Sequence, residues 1–243
     1  MKKILALAFL LPALAWAAEE GPVLDHAPVD LNDKASLQHG AAIFVNNCLS
    51  CHTASLMRYQ RLEDLGLSAQ QIEKNLLFTT DKIGDTMSPP LDPKVSKAAF
   101  GVVPPDLSLI ARSRSPDWLY TYLRSFYHDP KSKTGWNNEV FPNVAMPNVL
   151  WEEQGTQALE VSARIDEATG DRIETRKLVL ETPGRLGRVG YDRYVGDLVN
   201  YLVFMSEPAQ RERKLWGIVV LFFLSAFAVV AYLLKKEYWK DVR

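Results

Sequence analysis

The sequence predicts a mainly α-helical exported domain that is held on a membrane by one C-terminal helix. Three observations predict it: amphipathic helical periodicity in several segments, a secretory leader at the start, and a long uncharged apolar run near the end. Between the leader and the apolar run lie roughly 190 residues, which is long enough for one well-buried core.

The first residues have the three parts of a secretory signal peptide. Lys2 and Lys3 form a positive region, residues 4–16 are apolar, and Ala15-Trp16-Ala17 is a small-residue cleavage site. The apolar run is too short for a permanent membrane span. We therefore expect residues 1–17 to be cleaved and residues 18–210 to lie in the bacterial periplasm. Losing both lysines leaves a mildly acidic chain, which makes nucleic acid an improbable partner.

Two helices are predicted in the first half of the exported domain. Residues 33–47 place Leu37, Ala41 and Phe44 on one helical face. A second helix is expected over residues 68–78, with Ser68 as its N-cap. Residues 79–110 contain five prolines, and we expect them to form a long irregular connector laid over a surface or around a ligand.

The second half combines two helices with a hairpin. Ser115 caps a helix predicted over residues 115–127, with Pro116 at its first position. Alternating apolar residues on both sides of Gly170 predict a solvent-facing β-hairpin over residues 159–181. The last helix of the domain is expected over residues 191–205.

Residues 215–234 are uncharged and match the hydrocarbon core of a bilayer in length. Aromatic residues sit near both ends of this run, as they do at membrane interfaces. We expect a transmembrane helix in contact with lipid. The signal peptide sets its orientation, so residues 235–243 form a cytoplasmic tail.

The only two cysteines of the chain occur in the motif Cys48-Leu-Ser-Cys51-His52, the attachment pattern of c-type haem. Cys48 and Cys51 would form thioethers with the haem vinyl groups, and His52 would ligate the iron. A structural zinc would need more ligands than the scattered histidines supply. A thioredoxin-like dithiol would need a βαβ context, and a disulfide across so short a loop would add little order. The motif therefore predicts one covalent haem c.

A sixth iron ligand must come from elsewhere in the chain. A methionine would raise the redox potential relative to a second histidine. Met87 and Met146 both lie in proline-containing loops, Met146 being favoured, and His128 is the bis-histidine alternative. Met57 is too close to the motif to cross the haem, and Met205 has the pattern of a core residue.

Four segments together resemble the cytochrome c1 family, the haem c subunit of the cytochrome bc1 complex, in its proteobacterial form. They are CLSCH, GVVPPDLSLIARSR, FPNVAMPNVLWE and MSEPAQRERK, which precedes the apolar run. The resemblance implies a class I cytochrome c-like haem domain with long Pro-rich loops, in which the first and last helices cross. Gly40 would permit that close crossing. One departure is Asn148, where family members often have a second proline after the axial methionine.

The resemblance also implies the site and the partners. Met146 would be the axial ligand, Pro104 and Pro105 would lie against the haem, and Arg114 would approach a propionate, which its planar guanidinium suits. The protein would take single electrons from the Rieske iron–sulfur protein and reduce a soluble or tethered cytochrome c. It would catalyse no reaction on its own, and it would work beside cytochrome b in a dimeric complex.

Two other classes of function are compatible with a C-x-x-C-H motif. A haem sensor or assembly protein would have an axial ligand that a gas or a partner displaces. A haem peroxidase would need a distal histidine, for which His128 is the candidate. Carbon monoxide would bind readily to an open iron site but not to a methionine-ligated electron carrier.

Overall fold

A computed structural model describes residues 23–89, 91–165 and 172–241 of the chain. The predicted signal peptide and the predicted hairpin turn at Gly170 lie outside these described residues. The helices are α1 Lys34–Ile43, α2 Ala69–Asn75, α3 Pro93–Phe100, α4 Ile110–Ser113, α5 Pro116–Arg124, α6 Trp151–Gln154, α7 Gly187–Ser206 and α8 Gln210–Tyr238. The strands are β1 Ala54–Arg58, β2 Thr86–Met87, β3 Phe126–His128, β4 Trp136–Asn138, β5 Gly155–Ile165 and β6 Arg172–Pro183.

The crossing of α1 and α7 organises the core. Each helix buries one apolar face, which includes the predicted Leu37 and Ala41 on α1, and Leu198 and Leu202 on α7. The helices approach so closely that a Cβ on Gly40 would stand 2.0 Å from the carbonyl oxygen of Asp197 and 2.7 Å from Cβ of Tyr201. The expected close approach at Gly40 is therefore confirmed, because only a residue without a side chain fits there.

The end of α1 changes its winding just before the cysteine motif. Asp33, the first residue of the helix predicted from the sequence, is the N-cap of α1, and its side chain accepts a hydrogen bond from Ser36 N. The chain then continues as a π-helix over Phe44–Cys48. The side-chain amides of Asn46 and Asn47 donate to the carbonyls of Ala42 and Ile43. These bonds satisfy acceptors at the point where the regular helical ladder is interrupted.

Two further predicted helices are present with their caps. Ser68 and Gln71 form a reciprocal capping box at the start of α2, which ends at Asn75. Ser115 accepts a hydrogen bond from Trp118 N at the start of α5, where Pro116 takes the first position. The segment predicted as helix continues only to Arg124, and Phe126 belongs to β3 instead.

The prediction that residues 79–110 form only irregular connector was wrong. Helix α3 lies within them, and β2 pairs with β1. Asp92 caps α3 by accepting a hydrogen bond from Lys94 N, and Pro93 occupies the first helical position. A proline there begins a helix rather than breaking one, because the first backbone N–H has no partner within the helix anyway.

The predicted hairpin is present, and its strands are longer than expected. β5 and β6 pair antiparallel from Gly155 with Pro183 to Ile165 with Arg172. Residues 160–165 are exposed, so this half of β5 faces solvent as predicted. Two smaller antiparallel pairs, β1–β2 and β3–β4, were not predicted, because strands of two to five residues carry too little alternation to detect.

Helix α8 contains the whole apolar run of residues 215–234. The segment Glu212–Tyr238 has a mean hydropathy of 2.7 and is long and apolar enough to cross a membrane. The large hydrophobic side chains of this segment that the structure describes are exposed.

Candidate functional site

The cysteine motif forms a tight turn at the end of the π-helix. The backbone N–H groups of Cys51 and His52 both donate to the carbonyl oxygen of Cys48, at 3.1 and 2.9 Å. Both cysteines are free thiols and are half-buried. Burial is the main cause that raises the pKa of Cys48 to about 12, and the neighbouring thiol of Cys51 contributes to the rise. The turn therefore presents two unpaired sulfurs three residues apart and leads directly into His52.

The imidazole of His52 is fixed by a backbone carbonyl from a distant segment. Its Nδ1 lies 2.8 Å from the carbonyl oxygen of Pro105. A carbonyl can only accept, so Nδ1 carries the proton and Nε2 keeps a free lone pair. Burial lowers the pKa of His52 despite the opposing effects of Pro105 and Asp106, and so favours the neutral ring. A ring with one nitrogen oriented in this way is suited to ligate a metal through the other nitrogen.

Asp106 holds the proline segment against the cysteine motif. Its carboxylate accepts hydrogen bonds from Thr53 Oγ1, Ser55 N and Ser108 N, each at 2.8 Å. Burial opposes ionisation, but the hydrogen bonds with Ser108 and Ser55 outweigh it and hold the pKa of Asp106 below its usual range. Leu107 N also donates to the carbonyl of Thr53. The residues that directly follow Pro105 are thus held against the cysteine motif, which fixes the Pro105 carbonyl that orients His52.

Met146 lies in a loop and is half-buried. Its sulfur accepts a hydrogen bond from the hydroxyl of Tyr122 at 3.4 Å. The Tyr122 ring stacks on Trp118, with 4.7 Å between centroids and an interplanar angle of 10°. Burial raises the pKa of Tyr122, so its phenol remains a donor at neutral pH.

Arg114 is exposed at the edge of the same aromatic group. Its guanidinium carbon lies 5.1 Å from the ring centroid of Trp118 and 5.8 Å from that of Phe141. No carboxylate among the described residues forms an ion pair with it. The structure therefore connects Arg114, Trp118, Tyr122 and Met146 through successive contacts, while His52 and Pro105 form a second connected group.

The other candidate axial ligands differ from Met146 in their surroundings. Met57, Met87 and Met205 are each buried in the hydrophobic core. His128 is exposed, and its ring meets Trp136 edge to face. Among the four methionines in the described part of the chain, Met146 is the one whose sulfur lies at the border of the core.

The residues fit a covalently held haem better than the alternatives. Within the described residues, no group of three or more His, Cys, Asp or Glu side chains is arranged to hold a metal ion. The cysteines do not form a disulfide with one another. Two free thiols, an imidazole with its Nε2 lone pair free and a half-buried thioether are the set that haem c requires.

Tyr122 and Asp106 were not identified as site residues from the sequence. Tyr122 lies within the helix predicted over residues 115–127, where nothing local relates its hydroxyl to a methionine 24 residues away. Asp106 belongs to the Pro-Pro-Asp-Leu-Ser segment, so that motif was the available signal for it.

Comparison with known proteins identifies the family. The model of the Cytochrome C1 family matches residues 25–172 and 188–242. The chain belongs to the cytochrome c1 family. Cytochrome c1 of Allochromatium vinosum is 45% identical over 245 residues, covering 100% of both chains. A protein of Nitrosomonas europaea named ammonia monooxygenase gamma subunit is 47% identical, covering 100% of this chain and 99% of the relative. The cytochrome b/c1 of Bradyrhizobium diazoefficiens is 26% identical over 86% of this chain and 34% of its own length.

Family membership confirms the resemblance predicted from the four sequence segments. The protein is a c-type haem protein with covalently attached haem. It is a membrane-anchored electron-transfer subunit of the cytochrome bc1 complex in a respiratory chain.

Proposed function

We propose that this chain takes single electrons from the Rieske iron–sulfur protein and passes them to a soluble or tethered cytochrome c. The observation that carries the proposal is the hydrogen bond from His52 Nδ1 to Pro105 O beside two free cysteines. It is the arrangement that an axial histidine needs next to a covalent haem attachment site.

Each site residue has one part in holding the haem. Cys48 and Cys51 would hold the haem through thioethers, and His52 Nε2 and Met146 Sδ would ligate its iron. Pro105 orients His52 through its carbonyl. Pro104 would contribute apolar surface, and Arg114, whose guanidinium has no carboxylate partner among the described residues, would bind a propionate. The haem supplies the Fe(III)/Fe(II) couple, and these ligands and their burial set its potential.

The fold of the domain is proposed to be that of a class I cytochrome c. The crossing of α1 and α7 at Gly40 supports this assignment, since the cysteine motif follows directly from α1. The Pro-rich segment around Pro105 then supplies the contact that orients the axial histidine.

The proposed placement puts residues 18–210 in the periplasm, residues 215–234 in the membrane and residues 235–243 in the cytoplasm. The apolar helix α8 supports the span. The leader pattern of residues 1–17 supports export. Covalent haem attachment on the exported side agrees with this orientation.

The proposed partners are cytochrome b, the Rieske protein and an acceptor cytochrome c, in a dimeric complex. The relative named cytochrome b/c1 supports cytochrome b as a neighbour, since this chain matches about one third of its length. The Nitrosomonas europaea relative is named as a subunit of another assembly, ammonia monooxygenase. Copurification of cytochrome b, the Rieske protein and quinol–cytochrome c reductase activity with the full-length chain tests the proposed partners.

The ligand assignment is tested with two methionine variants of the full-length haem protein. Met146→Leu is expected to abolish the methionine–iron(III) charge-transfer band at the red end of the visible spectrum and to lower the midpoint potential. The matched variant Met87→Leu removes a buried thioether elsewhere in the core and should keep the band. Loss of the band in Met87→Leu alone would overturn the assignment. Rapid carbon monoxide binding by the unmodified protein would favour the haem sensor instead.

A further inference from the structure

Two methionine sulfurs in the described part of the chain each accept a hydrogen bond from a tyrosine hydroxyl. Tyr122 Oη lies 3.4 Å from Met146 Sδ, and Tyr201 Oη lies 3.6 Å from Met87 Sδ. The first pair is at the border of the core and the second is fully buried within it. The same chemical contact thus occurs once at the proposed axial ligand and once away from it.

The Tyr122 hydroxyl is held in place by its ring. The ring stacks on Trp118, and it meets Phe126 edge to face with 5.1 Å between centroids. Tyr122 is 8% exposed, so little solvent competes for its hydroxyl. Trp118 is on α5, the helix that also carries Tyr122, and Phe126 is in β3, which begins two residues after α5 ends. The direction of the hydroxyl toward the sulfur is therefore set by packing that does not itself involve Met146.

We propose that Tyr122 is a positioning residue that tunes Met146 as an iron ligand, an inference that rests on the proposed function. A thioether sulfur has two lone pairs, so it can accept a hydrogen bond while it donates to iron. The hydrogen bond withdraws electron density from the sulfur and weakens its donation. The oxidised iron depends more strongly on that donation, so the phenol raises the midpoint potential.

A buried tyrosine ring also stabilises a core simply by packing. This packing role can be separated experimentally from the tuning of the midpoint potential. Packing depends on the ring, whereas tuning depends on the hydroxyl. Tyr122→Phe keeps the stack with Trp118 and removes only the hydroxyl. Tyr201→Phe makes the same change at the other pair, where α1 and α7 cross.

The test measures the midpoint potential and the methionine–iron charge-transfer band of the full-length haem protein. Tyr122→Phe is expected to lower the potential by the equivalent of a 2- to 10-fold change in the electron-exchange equilibrium constant, the range of about one hydrogen bond. The band should persist but shift, because the sulfur stays bound with altered donation. Tyr201→Phe should leave both the potential and the band unchanged. Thermal unfolding of both variants shows whether each retains its packing.

The possible outcomes separate this inference from the proposed function. An unchanged potential in Tyr122→Phe, with the band still lost in Met146→Leu, overturns the inference and leaves the ligand assignment intact. Equal shifts in both tyrosine variants also overturn it, since they would reflect a general effect of removing a core hydroxyl. A shift in Tyr201→Phe alone, together with loss of the band in Met87→Leu, overturns both the inference and the ligand assignment.

Discussion

At the scale of single residues, Arg124 ties three parts of the haem domain together. Its guanidinium pairs with Asp25 of the N-terminal segment and with Asp192 of α7, each at 2.7 Å. It also lies 4.3 Å from the ring centroid of Tyr120 on its own helix. Only 17% of its side chain is exposed, so the pairs are screened less by water than a surface ion pair is.

Arg124→Ala is expected to lower the free energy of unfolding by about 1–3 kcal/mol, because two carboxylates lose a charged partner. The half-exposed pair between Arg61 and Asp64 provides the control, since Arg61→Ala should change stability by less than about 0.5 kcal/mol. Chemical denaturation followed by the haem absorption measures both. A similar small effect from the two variants would show that burial does not strengthen the Arg124 pairs.

His52 shows how a single contact connects residue and function. The sequence identifies the histidine through its motif, but its orienting partner is a backbone carbonyl 53 residues away. Because the contact is made by a backbone carbonyl, the side chains around Pro105 do not predict it. Asp106, which holds the carbonyl in place, makes its hydrogen bonds over similar distances in the chain.

At the scale of elements, the amphipathic helices were predicted most reliably. The buried faces of α1 and α7 agree with the predicted periodicity because both helices pack against the core along most of their length. The boundaries were less accurate: α7 begins at Gly187 rather than residue 191, and α1 passes into a π-helix at Phe44. Helix α3 was missed because its proline was interpreted as a breaker although it stands at the first helical position.

The crossing of α1 and α7 gives the prediction at this scale. Gly40→Ala is expected to lower the free energy of unfolding by about 1–3 kcal/mol, since the new methyl group would meet the backbone of Asp197 and the helices must separate. Gly84→Ala is the control, because an added Cβ there meets nothing within 4 Å. It should be neutral or stabilise slightly. Thermal unfolding that shows the same midpoint for both variants would contradict the close packing at Gly40.

At the scale of the whole molecule, the chain combines a domain with a buried core and a C-terminal helix, α8, whose large hydrophobic side chains are exposed. Within the part of the chain that the structure describes, all buried hydrophobic residues lie before α8. An exposed apolar helix of this length is unstable in water and is stabilised by lipid or by other membrane helices. The folded domain before α8 therefore presents a surface to solvent and to electron-transfer partners, whereas the apolar surface of α8 suits the bilayer.

Truncation of the chain before Gln210 is expected to release the haem domain into the soluble fraction with its haem absorption intact. The full-length chain should remain in the membrane fraction and, after detergent extraction, copurify with quinol–cytochrome c reductase activity. A chain that ends at Tyr238 keeps α8 and serves as the control, so it should stay in the membrane. Membrane retention of the truncated chain would show that contacts other than α8 anchor it.

The sequence by itself determined the haem attachment motif, the long apolar C-terminal helix and the faces of the main helices. Each of these depends on spacing or composition within a short stretch of chain, which local physical chemistry governs. Only the tertiary structure decided that Pro105 orients His52 and that Tyr122 donates to Met146. Those contacts join segments that are distant in the chain, so they depend on how the packed helices and loops bring them together.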